Sequence, residues 1–445
     1  MKKLGFILMT LVLLVFNSCK KDTVDVTDLL KTVPSSAGGV MVFNLENMLE
    51  KAGCKIKDHE IIPGPELEAL INQGSATSQQ DIKVLFDGST GIETKGAVIF
   101  YDSNRVFLTV LLHDENKFCQ FVEKQSGASF SDEGNGLKVL GNTAVKGGQA
   151  WILLSRGRRI DPDGINSYAK LATSQSFLVT PMGEELLVSE DDIRGWALLD
   201  TFTDEFMNRQ NRSMVTLGLG FLFDKAESLK FSIEFEKGEY EIEAIPLDSK
   251  FKPAKYKLPS EKVNVDLLKS LGTTCDGLMA FTVTPKLVDK IDELSRAFGG
   301  ALFGDLKETL KNINGTVGVI TSGAIDINMN SCALIETKGD LSQSLKSYLS
   351  EYVGNLSVEG NVVRVQKGEV SGNLDVATCA EELKGACMGM VIDQSEIQSL
   401  GGISTENFSS IIFKMEPKSG SVEFKIDGKT RNPDENAILS VIKAL

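Results

Sequence analysis

The stretch Gly39-Val40-Met41-Val42-Phe43-Asn44-Leu45-Glu46-Asn47-Met48-Leu49-Glu50-Lys51-Ala52-Gly53 spells a strand, a cap and a helix in succession. Gly39 to Phe43 is an apolar run of strand length, bounded on its far side by a capping residue. Asn44 stands where its side-chain oxygen can accept from the first free helical N–H groups, and Gly53 stands where a helix closes. The same grammar returns at Gly277 to Val283, with Thr284 as cap, Pro285 at the first helical position and Gly299 as stop. A third copy runs from Cys387 to Ile392, capped by Asp393 with Glu396 behind it and stopped by Gly401. A weaker fourth joins Trp196 to Leu199 with a helix from Thr201 to Arg209.

Between these units lies a longer one, and it also recurs. Ala97 to Tyr101 and Val106 to Leu112 read as a hairpin, Asp114 caps a helix to Lys124, and Leu137 to Val139 and Trp151 to Leu154 are further strands. In the second half Thr316 to Ile320 and Ala324 to Glu336 take the hairpin role. Asp340 then caps a helix to Tyr352, and Leu356 to Val358 and Val362 to Gln366 follow. Each half closes on an alternating hairpin: Phe231, Ile233 and Phe235 answered by Tyr240, Ile242 and Ala244, then Phe413 and Met415 answered by Val422, Phe424 and Ile426. The order predicts an α+β protein of two duplicated domains, residues 33–245 and 270–445, each a mostly antiparallel sheet with packed helices. Residues 246–269, rich in proline and lysine, read as the linker between them.

Lys2 and Lys3, a short apolar run from Leu4 to Phe16 and small residues before Cys19 have the form of an export signal over residues 1–18. The run is too short to cross a bilayer, which takes about 20 apolar residues. Residues 19–32 then read as a polar tether. Losing the first 18 residues removes two lysines and no acid, so 45 basic face 61 acidic side chains, a formal charge of −16. Such a surface repels phosphate backbones and excludes nucleic acid as a partner. Six cysteines remain, Cys54, Cys119, Cys275, Cys332, Cys379 and Cys387, and an even count in an exported chain permits disulfides. Cys119 and Cys387 lie in apolar runs, however, and a chain of this size needs no staples, which favours unpaired, buried thiols.

Catalytic signatures are sparse. His59 and His113 are the only histidines, and His113, at a strand end before Asp114, is the one conceivable general base. No G-x-S-x-G elbow, phosphate-binding glycine loop or C-x-x-C pair occurs, so no cofactor and no metal is expected. Asp326, Asn328 and Asn330 alternate with apolar residues as in a half-buried strand, without the turn glycine of a calcium loop. Arg156, Arg158 and Arg159 form a basic turn that an anion could use, but they read first as balance for an acidic surface. The glutamates of the first hairpin are the most pointed charged group. A two-residue turn at Lys237-Gly238 sets Glu236 opposite Glu239 and Glu234 opposite Glu241, like charges that destabilise by roughly a few tenths of a kcal/mol. A cation or basic partner would offset that. The second hairpin carries the mixed set Lys414, Glu416, Glu423 and Lys425 at its outward positions, which favours a solvated face.

Val15-Phe16-Asn17-Ser18-Cys19 resembles a bacterial lipobox, which implies that Cys19 becomes the lipidated first residue. With Val33-Pro34-Ser35-Ser36-Ala37 and the Gly39 to Gly53 unit behind it, the chain resembles a family of uncharacterised Bacteroidetes lipoproteins. The resemblance implies attachment by lipid to a membrane of the cell envelope, the outer membrane, and carries no catalytic residue or cofactor. Lys20 after Cys19 leaves both the periplasmic and the outer face open. Two functions stay in view: a non-catalytic envelope lipoprotein that binds a glycan, peptide or protein between its halves, and a hydrolase of envelope or dietary polymer using a carboxylate pair.

Overall fold

The computed structural model describes residues 26–444 apart from 58, 74–87, 89, 156–157, 202–219, 259, 298–309, 311, 324–329, 342, 351–353, 397–398, 401–402 and 405. The export signal, Cys19, Arg156, Asp326, Asn328, the stops Gly299 and Gly401, and nearly all of the expected 201–209 helix lie outside the described residues.

The chain is α+β, built on one antiparallel sheet that counts 18 strands among the described residues. From edge to seam the second half contributes Asn355–Glu359, Val362–Lys367, Ser331–Thr337, Ile313–Thr321, Gly277–Val283, Met388–Asp393, Phe408–Lys418 and Ser421–Thr430. The first half continues with Glu239–Leu247, Ser228–Glu236, Ile193–Leu198, Gly39–Phe43, Ile92–Asp102, Arg105–Leu112, Gln149–Leu153, Thr143–Lys146, Lys138–Leu140 and Ser131–Asp132. Outward from the seam the two sides repeat one order of elements: hairpin partner, late strand, early strand, then the hairpin of the long unit.

One sheet therefore runs through both halves, where the sequence reading placed a separate sheet in each. The reason is edge chemistry. Glu239–Leu247 and Ser421–Thr430 would each expose a row of unpaired N–H and C=O groups, and pairing them satisfies both.

The strand–cap–helix units form for the expected reasons. Asn44 accepts from the Asn47 N–H, and the Leu45–Lys51 helix ends before Gly53 at φ 76°. Thr284 accepts from the Leu287 N–H at the head of the Pro285–Ala297 helix. Asp114 accepts from the Lys117 N–H, and Gly127 at φ 69° closes the Glu115–Ser126 helix. The third unit differs: after Met388–Asp393 the Asp393 carboxylate accepts from the Ser395 N–H, and residues 394–396 make a single 3-10 turn.

Two stretches read as unstructured are folded. The tether ends in a Thr27–Lys31 helix whose Leu29 and Leu30 are 1% and 0% exposed. The linker contains the strand Lys255–Tyr256, paired with Phe223–Asp224, and the helix Val265–Lys269 with Leu268 fully buried. Ala254 and Tyr256 pack with Phe223, Met415 and Val422, which draws this segment onto the second half. Leucine pairs inside polar runs, and two aromatics among four lysines, Phe251 against Trp196 and Tyr256 against Phe223, were enough to bury these segments.

Helices cover both faces. Leu45–Lys51, Pro65–Gln73, Glu115–Ser126 and Ala437–Ala444 pack over Phe43, Ala97, Ile193 and Tyr240. The opposite face of the first half, with Val40, Val42, Val98 and Trp196, lies under Thr27–Lys31, Pro162–Ala169 and Pro181–Val188. In the second half Val265–Lys269 and Val376–Glu382 cover Leu278, Ile320 and Ile412. The six cysteines are buried and unpaired, as expected. No helix among the described residues is long and apolar enough to cross a membrane.

Candidate functional site

The charged residues of the first hairpin meet the second half at the seam. The turn has the expected register, Glu236 opposite Glu239 and Glu234 opposite Glu241. Alternation along the strands then puts Tyr240, Ile242, Phe424 and Ile426 on the covered face of the seam, and Glu239, Glu241, Glu243, Lys425 and Lys429 on the other. Glu243 lies directly opposite Lys425 and Glu239 opposite Lys429. Lys425 donates to Glu243 and lies 3.4 Å from Glu241, while Lys429 bonds Glu239 and approaches Glu382 at 3.6 Å. The acidic face is thus offset by lysines of the same chain. The pairing was invisible in sequence because these partners are more than 180 residues apart.

Burial opposes the Lys425 ammonium, but Glu243 and Glu241 outweigh it and hold its pKa well above the ordinary lysine value. Helices flank this face: Lys230 bonds Glu185 of the Pro181–Val188 helix at 2.5 Å on one side, and Lys429 reaches Glu382 of the Val376–Glu382 helix on the other.

Glu234 has a different fate from its neighbours and corrects the reading of a wholly solvated face. Ile193–Leu198 begins opposite Ile233, so Glu234 lies just beyond its end, where Lys51 and Asp192 fill the gap. Lys51 Nζ stands 2.7 Å from Asp192 Oδ2 and 2.5 Å from Glu234 Oε1. Asp192, fully buried, accepts also from Asn47 Nδ2 at 2.6 Å and from the Phe235 N–H at 2.8 Å, replacing a missing strand partner. Burial and the Asp192 charge together push the Glu234 carboxyl up to about 7, against the pull of Lys51. Burial acts against Lys51 too, yet Asp192 and Glu234 hold its ammonium above the usual range.

Two carboxylates on one ammonium lie within the ~5–5.5 Å of a retaining glycosidase pair. The arrangement nevertheless resists that chemistry. Lys51 occupies the space between them, and both oxygens of Asp192 are committed to protein donors at 0% exposure.

The remaining candidates do not join this site. His113 stacks on His59 with ring centroids 4.1 Å apart, and Glu93 approaches His59 Nδ1 at 3.7 Å. Burial lowers the His113 pKa, with His59 adding to the effect. Arg158 and Arg159 are exposed at the surface beyond Gln149–Leu153. Asp192 and Lys51, central to the buried cluster, carried no sequence signal beyond their proximity to caps and strand ends.

No family model matches the chain, and no curated protein matches it. Two solved structures, crystal forms I and III of TP0453, align over 82% and 79% of this chain and 97% and 96% of theirs. Both alignments are at 8% identity, with TM-scores of 0.29 and 0.28. Likeness at that level carries no inference about fold or activity.

Proposed function

We propose that the chain is a lipid-anchored cell-envelope protein, a Bacteroidetes lipoprotein of the outer membrane, that binds a glycan, peptide or protein partner and is not a catalyst. Cys19 is the acylated residue in this reading, and acyl chains contribute about 0.8 kcal/mol per buried CH2 to membrane attachment. The observation that carries the non-catalytic reading is the Lys51 clamp on Asp192 and Glu234, which leaves that carboxylate pair no room for a substrate. The seam face, half-exposed and lined by charges of both signs, is the surface assigned to the partner.

The same reading takes the two halves as an internal duplication. Asp28-Leu29-Leu30-Lys31 and Asp266-Leu267-Leu268-Lys269 support it, each ending eight residues before its strand glycine, Gly39 or Gly277. Both tetrapeptides lie in short helices that pack on the same relative side of their half.

Protease shaving of intact cells with affinity capture from envelope extract tests the binding reading, and intact mass of the purified protein tests the anchor. An acyl adduct on Cys19 and a partner lost on mutation of Lys425 and Lys429 are expected. A mature protein retaining residues 1–18 without an adduct overturns the anchor. Polymer hydrolysis abolished by Glu234→Gln would overturn the non-catalytic reading.

A further inference from the structure

One outer edge of the sheet is the strand Asn355–Glu359, which among the described residues pairs with Val362–Lys367 alone. Gly360-Asn361 turns the chain between Glu359 and Val362, and in such a two-residue hairpin the flanking pair exchanges both backbone bonds. Alternation then points the N–H and C=O groups of Leu356 and Val358 away from the sheet. Asn355, Ser357, Val358 and Glu359 are exposed, which leaves that side open to solvent. The opposite edge is guarded. Ser131–Asp132 is two residues long, and Asp132 turns back to accept from the Gly134 N–H at 2.8 Å with Glu133 beside it. Short length and charge are usual protections of a sheet edge.

Asn355-Leu356-Ser357-Val358-Glu359 carries neither protection: it has five residues, no lysine, no proline and a single acid at its end. Val358 is 53% exposed although Val363, opposite it on the next strand, is buried. The core that holds Ile335, Leu345, Val363 and Val365, with Leu356 packed against it, thus runs out at the edge beside an uncovered apolar side chain. The strand also complements itself. Laid antiparallel on a second copy about Ser357, all five residues pair. Leu356 and Val358 of one copy meet Val358 and Leu356 of the other, and their outward backbone groups exchange hydrogen bonds. Asn355 faces Glu359, so no like charges oppose each other. Any other register leaves part of the strand unpaired.

We propose that Asn355–Glu359 is a self-association edge: two copies of the chain pair these strands antiparallel about Ser357, so that their sheets join and each Val358 is covered by Leu356 of the other copy. Five residues a side, with their flanks, fall well short of the ~20–30 of a stable interface, so the dimer is weak and reversible. The inference goes beyond the binding reading above. It uses the far edge of the sheet, not the seam, and does not depend on the lipid anchor.

The test uses the full mature chain with Cys19→Ser, so that no acyl chain brings copies together. Sedimentation velocity from about 1 to about 300 μM should show a monomer giving way to a dimer and to nothing larger. Val358→Lys places a charge on an exposed position of the edge, and should weaken the dimer at least tenfold with circular dichroism and melting unchanged. Register is read by cross-linking with oxidised glutathione, against which the six native thiols are buried. Ser357→Cys should form a disulfide-linked dimer, because the residue meets its own copy. Asn355→Cys and Glu359→Cys should each link at least tenfold more slowly alone, and readily when mixed with each other. A monomer throughout the concentration range would overturn the proposal, as would a dimer undiminished by Val358→Lys. Asn355→Cys linking alone as fast as Ser357→Cys would overturn the register, and assemblies beyond two copies would overturn the twofold pairing. Capture of an envelope partner at the seam is read separately from all of these.

Discussion

Glu243 and Lys425 face each other across the seam, and each is the fifth residue of the strand that follows its hairpin turn. The two strands run antiparallel across the seam, and at this position one carries the acid and the other the base, so the seam is held by an attraction. Lys425→Glu should therefore cost more stability than Lys425→Ala, itself about 0.5–1 kcal/mol for a half-exposed pair. Adding Glu243→Lys should restore part of the loss. A double-mutant cycle from urea midpoints measures it, and additive effects would contradict a direct pair.

Lys51 neutralises two carboxylates at once, the buried Asp192 and the half-buried Glu234. Lys51→Met keeps the stem and removes the charge, leaving Asp192 buried without its cation. A loss of about 3–5 kcal/mol is expected, since breaking a buried pair from one side strands the other charge. Lys51→Met paired with Asp192→Asn should recover much of it, as followed by chemical denaturation.

Glu234 makes stability depend on pH. Its carboxyl is held at about 7 in the fold against an ordinary value of 4.5. Between those values the folded chain keeps a proton that the unfolded chain has released. Stability from this group is therefore full below pH 4.5, falls as pH rises towards 7, and is level above that. The change is on the order of 1–3 kcal/mol. Glu234→Gln should remove this component of the profile; an unchanged slope over that window would show that Glu234 titrates normally.

Leu30 and Leu268 are both fully buried, one in each short Asp-Leu-Leu-Lys helix. Alanine at either should cost about 2–5 kcal/mol through lost burial and the cavity left behind. Were residues 19–32 and 246–269 merely tether and linker, neither change would move the melting temperature.

The six cysteines should be silent to a thiol reagent in the native chain and all react once it is unfolded. Burial pushes the Cys54 thiol up to about 12, which suppresses the thiolate that would react. Rapid native labelling at any of the six would show an opening of its core.

Gly195 and Gly428 show what hairpin alternation could not convey. A side-chain carbon at Gly195 would meet the Phe231 ring at 2.3 Å, and one at Gly428 the Tyr240 ring at 2.1 Å. Each glycine lets an aromatic from the neighbouring strand lie over its backbone, across a registered pair. Alternation marks the aromatics as inward-facing but gives the glycines beneath them no part. The Asp-Leu-Leu-Lys echo, by contrast, stands in the sequence, but short apolar runs among polar residues and lysines resemble linkers.

The sequence by itself determined the local elements. Asn44, Asp114 and Thr284 cap helices, Lys237-Gly238 turns a hairpin in its expected register, and the class is α+β, because these depend on neighbours a few residues apart. Only the tertiary structure decided that the two halves share one sheet, that Lys425 and Lys429 answer the glutamates, and that Lys51 and Asp192 enclose Glu234. Those partners come from distant parts of the chain. A strand edge states that it needs hydrogen bonds, and a buried charge that it needs a counter-charge, but neither names the residue that supplies it.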